Sequence, residues 1–505
     1  MLVRGARLAG LDGEAARAAD VRIRDGLVAE VGPGLRAAGD PVLDAAGGWL
    51  IPGLWDAHVH ATQWVRSLDW IDISGCAGPE QACARIAGAL VSRPDDGRLV
   101  TASGFRTTAW PRPGTVAELD AVTGGRPVLA ISGDAHSGWL NSAASAMLGV
   151  PPRAGPLTEN DWFALAARIN ALPEAQPTDA DLAAAVAKLS ARGLVGVVDV
   201  EFSDAFVAWP RRVAAGMRAL RVRTGVYPHQ LDEVLARGWR TGDPLPGCGS
   251  LVTMGPLKVI FDGSLGTRTA WCCAPYVGAL PGDPHPAGAP NYDRATLAWL
   301  LARARGGGLS VAVHAIGDRA NEVALEVLAE VGVRGSIEHA QLLRRADVPR
   351  FAALGVTASV QPAHLLDDRD MADDVWADRT GRAFLARSLL DAGATLALGS
   401  DAPVADPDPW LAIAAAVHRS GDDRPAWCPE ESLTPREALA ASVDGRRIVV
   451  GAPGDVVVLG ADPLRTAPTT AETAARLRAM PVRATVVAGH LTHLAAGRPA
   501  PGGAA

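Results

Sequence analysis

The sequence predicts an α/β fold, a (β/α)8 TIM barrel carrying a small composite β-sandwich domain built from both chain ends. Three observations predict it. Strand-like runs alternate with amphipathic helical patterns through the body of the chain; short alternating β-type runs recur near both ends; and 505 residues are more than one small module needs.

At the N-terminal side, VRIRDGLVAEVG (21–32) and PVLDAAGGWLI (41–51) are alternating runs separated by Gly, Asp and Pro turns, which predicts antiparallel strands. GDVVVLGADP and RATVVAGHLTHLA repeat the pattern near the other end. Residues 1–50 and 446–505 are therefore expected to pair into one β-domain, with 51–445 forming the barrel. Eight barrel strands are predicted: LWDAHVH (54–60), LVGVVDV (194–200), LRVRTGVY (220–227), GPLKVIFD (255–262), LSVAVHA (309–315), RGSIEHA (334–340), VTASVQP (356–362) and TLALGSD (395–401). The segments between them, such as DRATLAWLLARARG, DRANEVALEVLAEVG and GRAFLARSLLDAG, space apolar residues by three and four and end on Gly, as amphipathic helices do. About 130 residues separate the first two strands, far more than a crossover needs. An insertion is expected at about 62–190, including GFRTTAWPRPG, VLAISGDAHSGWLNSAA and GPLTENDW. It reads either as a lid or substrate wall or as an independently packed subdomain. The tail GRPAPGGAA has a disorder-prone composition.

Composition narrows the function. A net charge of -7 with no basic stretch argues against a nucleic-acid partner. No segment approaches the ~18 uninterrupted apolar residues of a membrane span, and the first residues lack a signal-peptide core, so a soluble cytoplasmic protein without a membrane partner is expected. The six cysteines, at 76, 83, 248, 272, 273 and 428, have no CxxC spacing and predict no disulfide framework. Of 48 basic residues only Lys188 and Lys258 are lysines, which asks why arginine would not serve at those positions.

The chemistry starts at Asp56-Ala-His58-Val-His60. Alternate residues of a strand share a face, so His58 and His60 can reach one cation from the strand's C-terminal end. HxH is weak by itself in a chain with eleven histidines. It gains weight because other polar residues fall on strands that otherwise read apolar: Lys258 on the fourth, His314 on the fifth, His339 on the sixth and Asp401 closing the eighth. Active sites of this barrel lie at the C-terminal strand ends, so these side chains are expected at one height around one point. Imidazole and carboxylate suit zinc and similar ions; one or two divalent cations, zinc first among them, are the expected cofactor.

The stretches IPGLWDAHVH, SGDAHSGWLNSAA, KVIFDGSLGTRTA, VAVHAIGDRAN, SIEHAQL and LGSDAPVADPDPW, with SLTPREAL and GDVVVLGADP, resemble the amidohydrolase superfamily and, within it, its YtcJ-like branch, amidohydrolase family 3. The resemblance covers nearly the whole chain. It implies hydrolysis of a C–N bond, with His58 and His60 on a first metal, His314 and His339 on a second, and Asp401 as ligand and proton acceptor. It also implies a carbamylated Lys258 bridging the ions. Chemistry agrees, since carbamylation needs a neutral amine that guanidinium cannot supply. One segment departs from the family pattern: only DGRRIVVGAP joins SLTPREALAASV to GDVVVLGADP.

The function expected is hydrolysis of a small-molecule, non-peptide amide, such as an N-substituted formamide or N-acyl amine, by metal-activated water, with Asp401 taking the proton. A deaminase or a cyclic amide or imide hydrolase would use the same barrel. A non-catalytic barrel would have had to keep all six ligand candidates without using them. Five further residues are candidate substrate contacts: Trp110, His136, Asp262, Ser264 and Arg268, with Gly263 and Gly266 suggesting a tight turn beside Ser264. Each also has a bland reading, as packing, turn or surface. The sequence leaves room for a homo-oligomer.

Overall fold

In a computed structural model, which describes residues 1–11, 13–106, 110–171 and 177–496, eight parallel strands follow one another around a barrel. They are β1 (Leu54–Val59), β2 (Leu194–Asp199), β3 (Arg221–Val226), β4 (Val252–Ile260), β5 (Val311–Ala315), β6 (Gly335–His339), β7 (Thr357–Val360) and β8 (Leu396–Leu398), each hydrogen-bonded to the next in sequence order. Every one lies inside or overlaps the run predicted for it, because valine and leucine runs broken by Gly and Pro have few other ways to be buried. Closure between β8 and β1 is made just beyond the strand ends. The Asp401 amide donates to the His58 carbonyl at 2.7 Å, the His60 amide donates to the Ala402 carbonyl at 2.8 Å, and Val59 and Ala402 form a parallel bridge. The seam of the barrel is thus sewn by the segments that carry His58, His60 and Asp401.

Gly399 makes that seam possible. A Cβ there would lie 2.9 Å from both the Cβ and the backbone nitrogen of His58, closer than packed atoms approach, so only glycine lets β8 come this near β1.

The two chain ends form one hydrogen-bonded eight-stranded sheet, into which the C-terminal strand Val456–Leu459 is threaded beside Trp49–Pro52. Alternation assigns its two faces. Val456 and Val458 join Val3, Val21 and Leu50 in the domain's own core, while Val457 and Leu459 belong to the core of the barrel. The short junction DGRRIVVGAP opens on Asp444 with φ of 54° and leaves Val449 and Val450 exposed. Arg446 lies over the Trp55 ring at 5.2 Å, and Asp444 receives a bidentate bond from Arg223.

Within the expected insertion, a five-stranded sheet runs from Ile71–Asp72 to Leu157–Thr158. Helices Pro79–Val91, Val116–Thr123, Ser142–Met147 and Glu159–Ala171 accompany it. It holds two apolar clusters of its own, one around Trp110 and Trp139 and one around Trp162 and Leu165. The flanking helices behave differently: Ala61–Ser67 and Asp179–Ala191 contribute Trp64, Val65, Leu182 and Leu189 to the barrel core. The tail GRPAPGGAA and part of GFRTTAWPRPG lie outside the described residues. All six cysteines are free, and among the described residues no helix is long and apolar enough to cross a membrane.

Candidate metal centre

His58, His60 and Asp401 meet at the barrel mouth. The Nε2 atoms of His58 and His60 each lie 3.3 Å from Asp401 Oδ1, and one ligand atom from each of the three side chains lies within 4.8 Å of the other two. His58 and Asp401 sit where their backbones are locked together by the barrel seam. Asp401 also has φ of 57°, a region that L residues occupy at a cost. That turn is what swings its carboxylate inward beyond the end of β8.

The remaining sequence candidates arrive from three strands, at different depths rather than at the one height expected. In the parallel register Ile260 pairs with His314, His314 with Glu338, and Ala315 with His339. Lys258 therefore starts two residues below the His314 rung, and its stem carries Nζ up to 3.2 Å from His58 Nε2. The rings of His314 and His339 meet edge to face with centroids 4.4 Å apart. His339 has φ of 73° and Ala340 44°, so the strand breaks at this point and two consecutive side chains, Glu338 and His339, both face the interior.

Burial sets the charge states. It lowers the pKa of His58, His314 and His339, with the Lys258 charge adding to it at each, so these imidazoles favour the neutral form with a lone pair to offer. It likewise lowers Lys258 towards the neutral amine, against the pull of Glu338 and Asp401. Burial opposes ionisation of Asp401, but the surrounding imidazoles and the His60 hydrogen bond outweigh it and hold the carboxyl well below its ordinary range. Neutral imidazoles around an ionised carboxylate are the donor set a divalent cation requires. The buried Nδ1 atoms of His60 and His339 have no hydrogen-bond partner. These residues fit the metal that the sequence implies.

Two residues that sequence reasoning missed belong to the same cluster. Glu338 accepts from His58 Nδ1 at 2.7 Å and from the Ser336 hydroxyl. His364, at the start of helix His364–Val375, brings Nε2 to 4.0 Å from Asp401 Oδ2 and groups with His339 and Asp401 as a second set of potential ligands. It lies two residues past the VTASVQP run, where a search confined to strands stops. Its signal was a histidine just beyond a C-terminal strand end. Asp199, the last residue of β2, and Glu201 just beyond it hold the helix that follows His60 by accepting the amides of Ala61 and Gln63 at 3.0 and 2.9 Å. Phe202 stacks on the His60 ring at 5.1 Å.

The five candidate substrate contacts divide. A chamber of about 2140 Å³ opens above the centre, and His136 lines it along with His58, His60, Lys258, His314, His339 and Asp401. His136 Nδ1 lies 3.2 Å from Glu159 of the insertion. Ser264 reaches a small side cleft, where its hydroxyl donates to Asp134 at 3.2 Å. Asp262 is buried just past the end of β4, with Oδ1 3.5 Å from His314 Nε2, and organises the loops there: its carboxylate accepts the amides of Trp271, Ile316 and Gly317, and burial pushes its pKa up to about 7. Trp110 and Arg268 are not among the residues lining the chamber. Trp110 is packed in the insertion core with its indole N–H on the Cys76 carbonyl at 2.7 Å, because a large apolar ring gains more from that core than from an open chamber. Arg268 does not line the chamber and points to Asp374, 4.0 Å away.

Comparison with known proteins accords with this arrangement. Over 490 aligned positions the chain is 27% identical to YtcJ of Bacillus subtilis (strain 168), covering 88% of this chain and 89% of that one. It is 25% identical over 520 positions to N-substituted formamide deformylase of Arthrobacter pascens, covering 92% and 94% of the two chains. An uncharacterized metal-dependent hydrolase from Pyrococcus horikoshii OT3 shares the fold with a TM-score of 0.77 at 24% identity, covering 92% of this chain and 98% of that one. The profile of the amidohydrolase family matches residues 41–493, and with a match of that extent the chain belongs to the amidohydrolase family.

Proposed function

We propose that the chain is a metal-dependent hydrolase of a non-peptide C–N bond in a small-molecule amide, such as an N-substituted formamide or N-acyl amine. The observation that carries this reading is the pair of histidine nitrogens, each 3.3 Å from the same oxygen of Asp401, at the base of a chamber large enough for a small organic substrate. The choice of a formamide or N-acyl amine draws on the name of the Arthrobacter pascens relative.

His58, His60, His314, His339 and Asp401 would hold the metal, for which zinc is our first choice, and Lys258 is the residue proposed to carry a carbamate. When bound, such a cation supplies Lewis acidity that polarises an amide carbonyl and brings the pKa of water to about 7. Asp401, ionised and within reach of both the histidines and the chamber, receives a proton at its free oxygen and returns it to the leaving nitrogen. His136, which lines the chamber and is held by Glu159, and Ser264, at the side cleft, are our candidates for substrate contact. A small-molecule amide is the partner this reading requires, and the cytoplasm is the compartment we assign.

The test is hydrolysis of a panel of formamides, N-acyl amines, N-acyl amino acids and cyclic imides by the metal-loaded protein and by Asp401→Asn. The account expects turnover of formamides or N-acyl amines that the variant loses. Release of ammonia from an amino-substituted heterocycle, without amide cleavage, would mark a deaminase instead.

A further inference from the structure

Glu338 has no part in the chemistry above, yet its carboxylate is buried against one of the proposed ligands. Resting on the metal-dependent reading, we propose that Glu338 is a positioning residue that fixes the tautomer and orientation of His58, so that His58 Nε2 is presented to the cation.

The geometry is direct. Glu338 leaves β6 and crosses the barrel interior to β1, where Oε2 lies 2.7 Å from His58 Nδ1. His58 is 1% exposed and Glu338 3%, so no bulk water competes for the bond. An ionised carboxylate only accepts, which places the imidazole hydrogen on Nδ1 and leaves the Nε2 lone pair free. That free nitrogen is the one facing Asp401 Oδ1 at 3.3 Å and Lys258 Nζ at 3.2 Å. The other Glu338 oxygen is held by the Ser336 hydroxyl, so the carboxylate cannot swing away without breaking a second bond.

The contrast with its neighbours sharpens the role. His60 and His339 have no partner on their buried Nδ1 atoms, whereas His58 is pinned by a charged acceptor. Metal-bound histidines commonly donate their second N–H to such a group, and loss of the acceptor weakens metal binding. A competing explanation is that Glu338 only balances the buried Lys258 charge. The two differ in what they need from position 338: positioning needs a well-placed acceptor oxygen, and charge balance needs a negative charge.

The experiment measures zinc affinity by chelator competition, together with the visible absorption of the cobalt(II)-loaded protein, for wild type and Glu338→Ala, Glu338→Gln and Glu338→Asp. Positioning predicts that Glu338→Ala loses about 10- to 100-fold in zinc affinity and has an altered cobalt spectrum. Glu338→Gln, which keeps an acceptor in place without the charge, should stay close to wild type. Glu338→Asp, which keeps the charge but withdraws it by a methylene, should fall below Glu338→Gln. If Glu338→Ala does not fold, the order of the last two decides alone. Glu338→Asp binding better than Glu338→Gln, or Glu338→Ala matching wild type, overturns the proposal. A wild-type chain that takes up neither metal overturns the hydrolase reading itself.

Discussion

At the scale of single residues, the account hangs on a few side chains whose placement is enforced by backbone. Asp401→Asn keeps the shape of the carboxylate but removes its charge and its capacity to take a proton, so turnover should be lost while the circular dichroism spectrum is unchanged. Retained activity would take Asp401 out of its assigned role. Gly399→Ala tests the seam. Its new Cβ would press on His58 at 2.9 Å, and relief requires β8 to move from β1. Unfolding in urea should show a loss of about 1–3 kcal/mol, the usual cost of overpacking, along with weaker metal binding.

The residues that the sequence hid were hidden for physical reasons. Strand alternation, applied to SIEHA, makes one of Glu338 and His339 face inward and the other outward. The positive φ at His339 and Ala340 suspends that rule, and periodicity carries no trace of it. The sequence leaves Trp110 open between substrate contact and packing, and only the folded insertion supplies the core that buries it.

Among elements, the barrel strands were the most legible part, because buried parallel strands need apolar runs of the right length and those runs are bounded by Gly and Pro. Depth was not legible. Lys258 and His314 lie on adjacent strands whose register is fixed by pairing, and a sequence does not display register. Helix ends offer a test of electrostatics at this scale. Glu437 sits in the capping box of helix Pro435–Ala440 with Thr434, and also pairs with Arg387 of helix Ala386–Asp391. The bond from Arg387, followed by those from Thr434, lowers its pKa from 4.5 to about 2. A depressed folded-state pKa contributes stability above the ordinary value and loses it as pH falls from 4.5 towards 2. Thermal melting of wild type and Glu437→Gln should therefore differ most near neutrality and converge in acid. A gap that stays constant across that interval would show that the pairing contributes no proton-linked stability.

On the scale of the whole molecule, three bodies share one purpose. The β-domain packs one face of its sheet on the barrel through Val457 and Leu459, the barrel gathers the ligands, and the insertion roofs them with His136. The sequence marked the insertion's existence by length alone. Apart from His136, which of its residues face the chamber was illegible, since that depends on how a five-stranded sheet is laid across the barrel mouth. Because the proposed ligands come from strands β1, β4, β5 and β6 and the segment after β8, a bound cation would cross-link most of the barrel. Chelation should lower the melting temperature and metal restore it, with a stabilisation of about 4 kcal/mol when free metal is ~1,000 times Kd. An unchanged melting curve would mean that these side chains do not share an ion.

The most direct measurement is the metal content of the purified chain, by elemental analysis after exposure to zinc and removal of the excess, beside a His58→Ala/His60→Ala double variant. The account predicts at least one tightly held divalent ion per wild-type chain and its loss from the variant, with the barrel still folded. A wild-type chain that emerges metal-free, or a variant that holds the ion equally well, would contradict it.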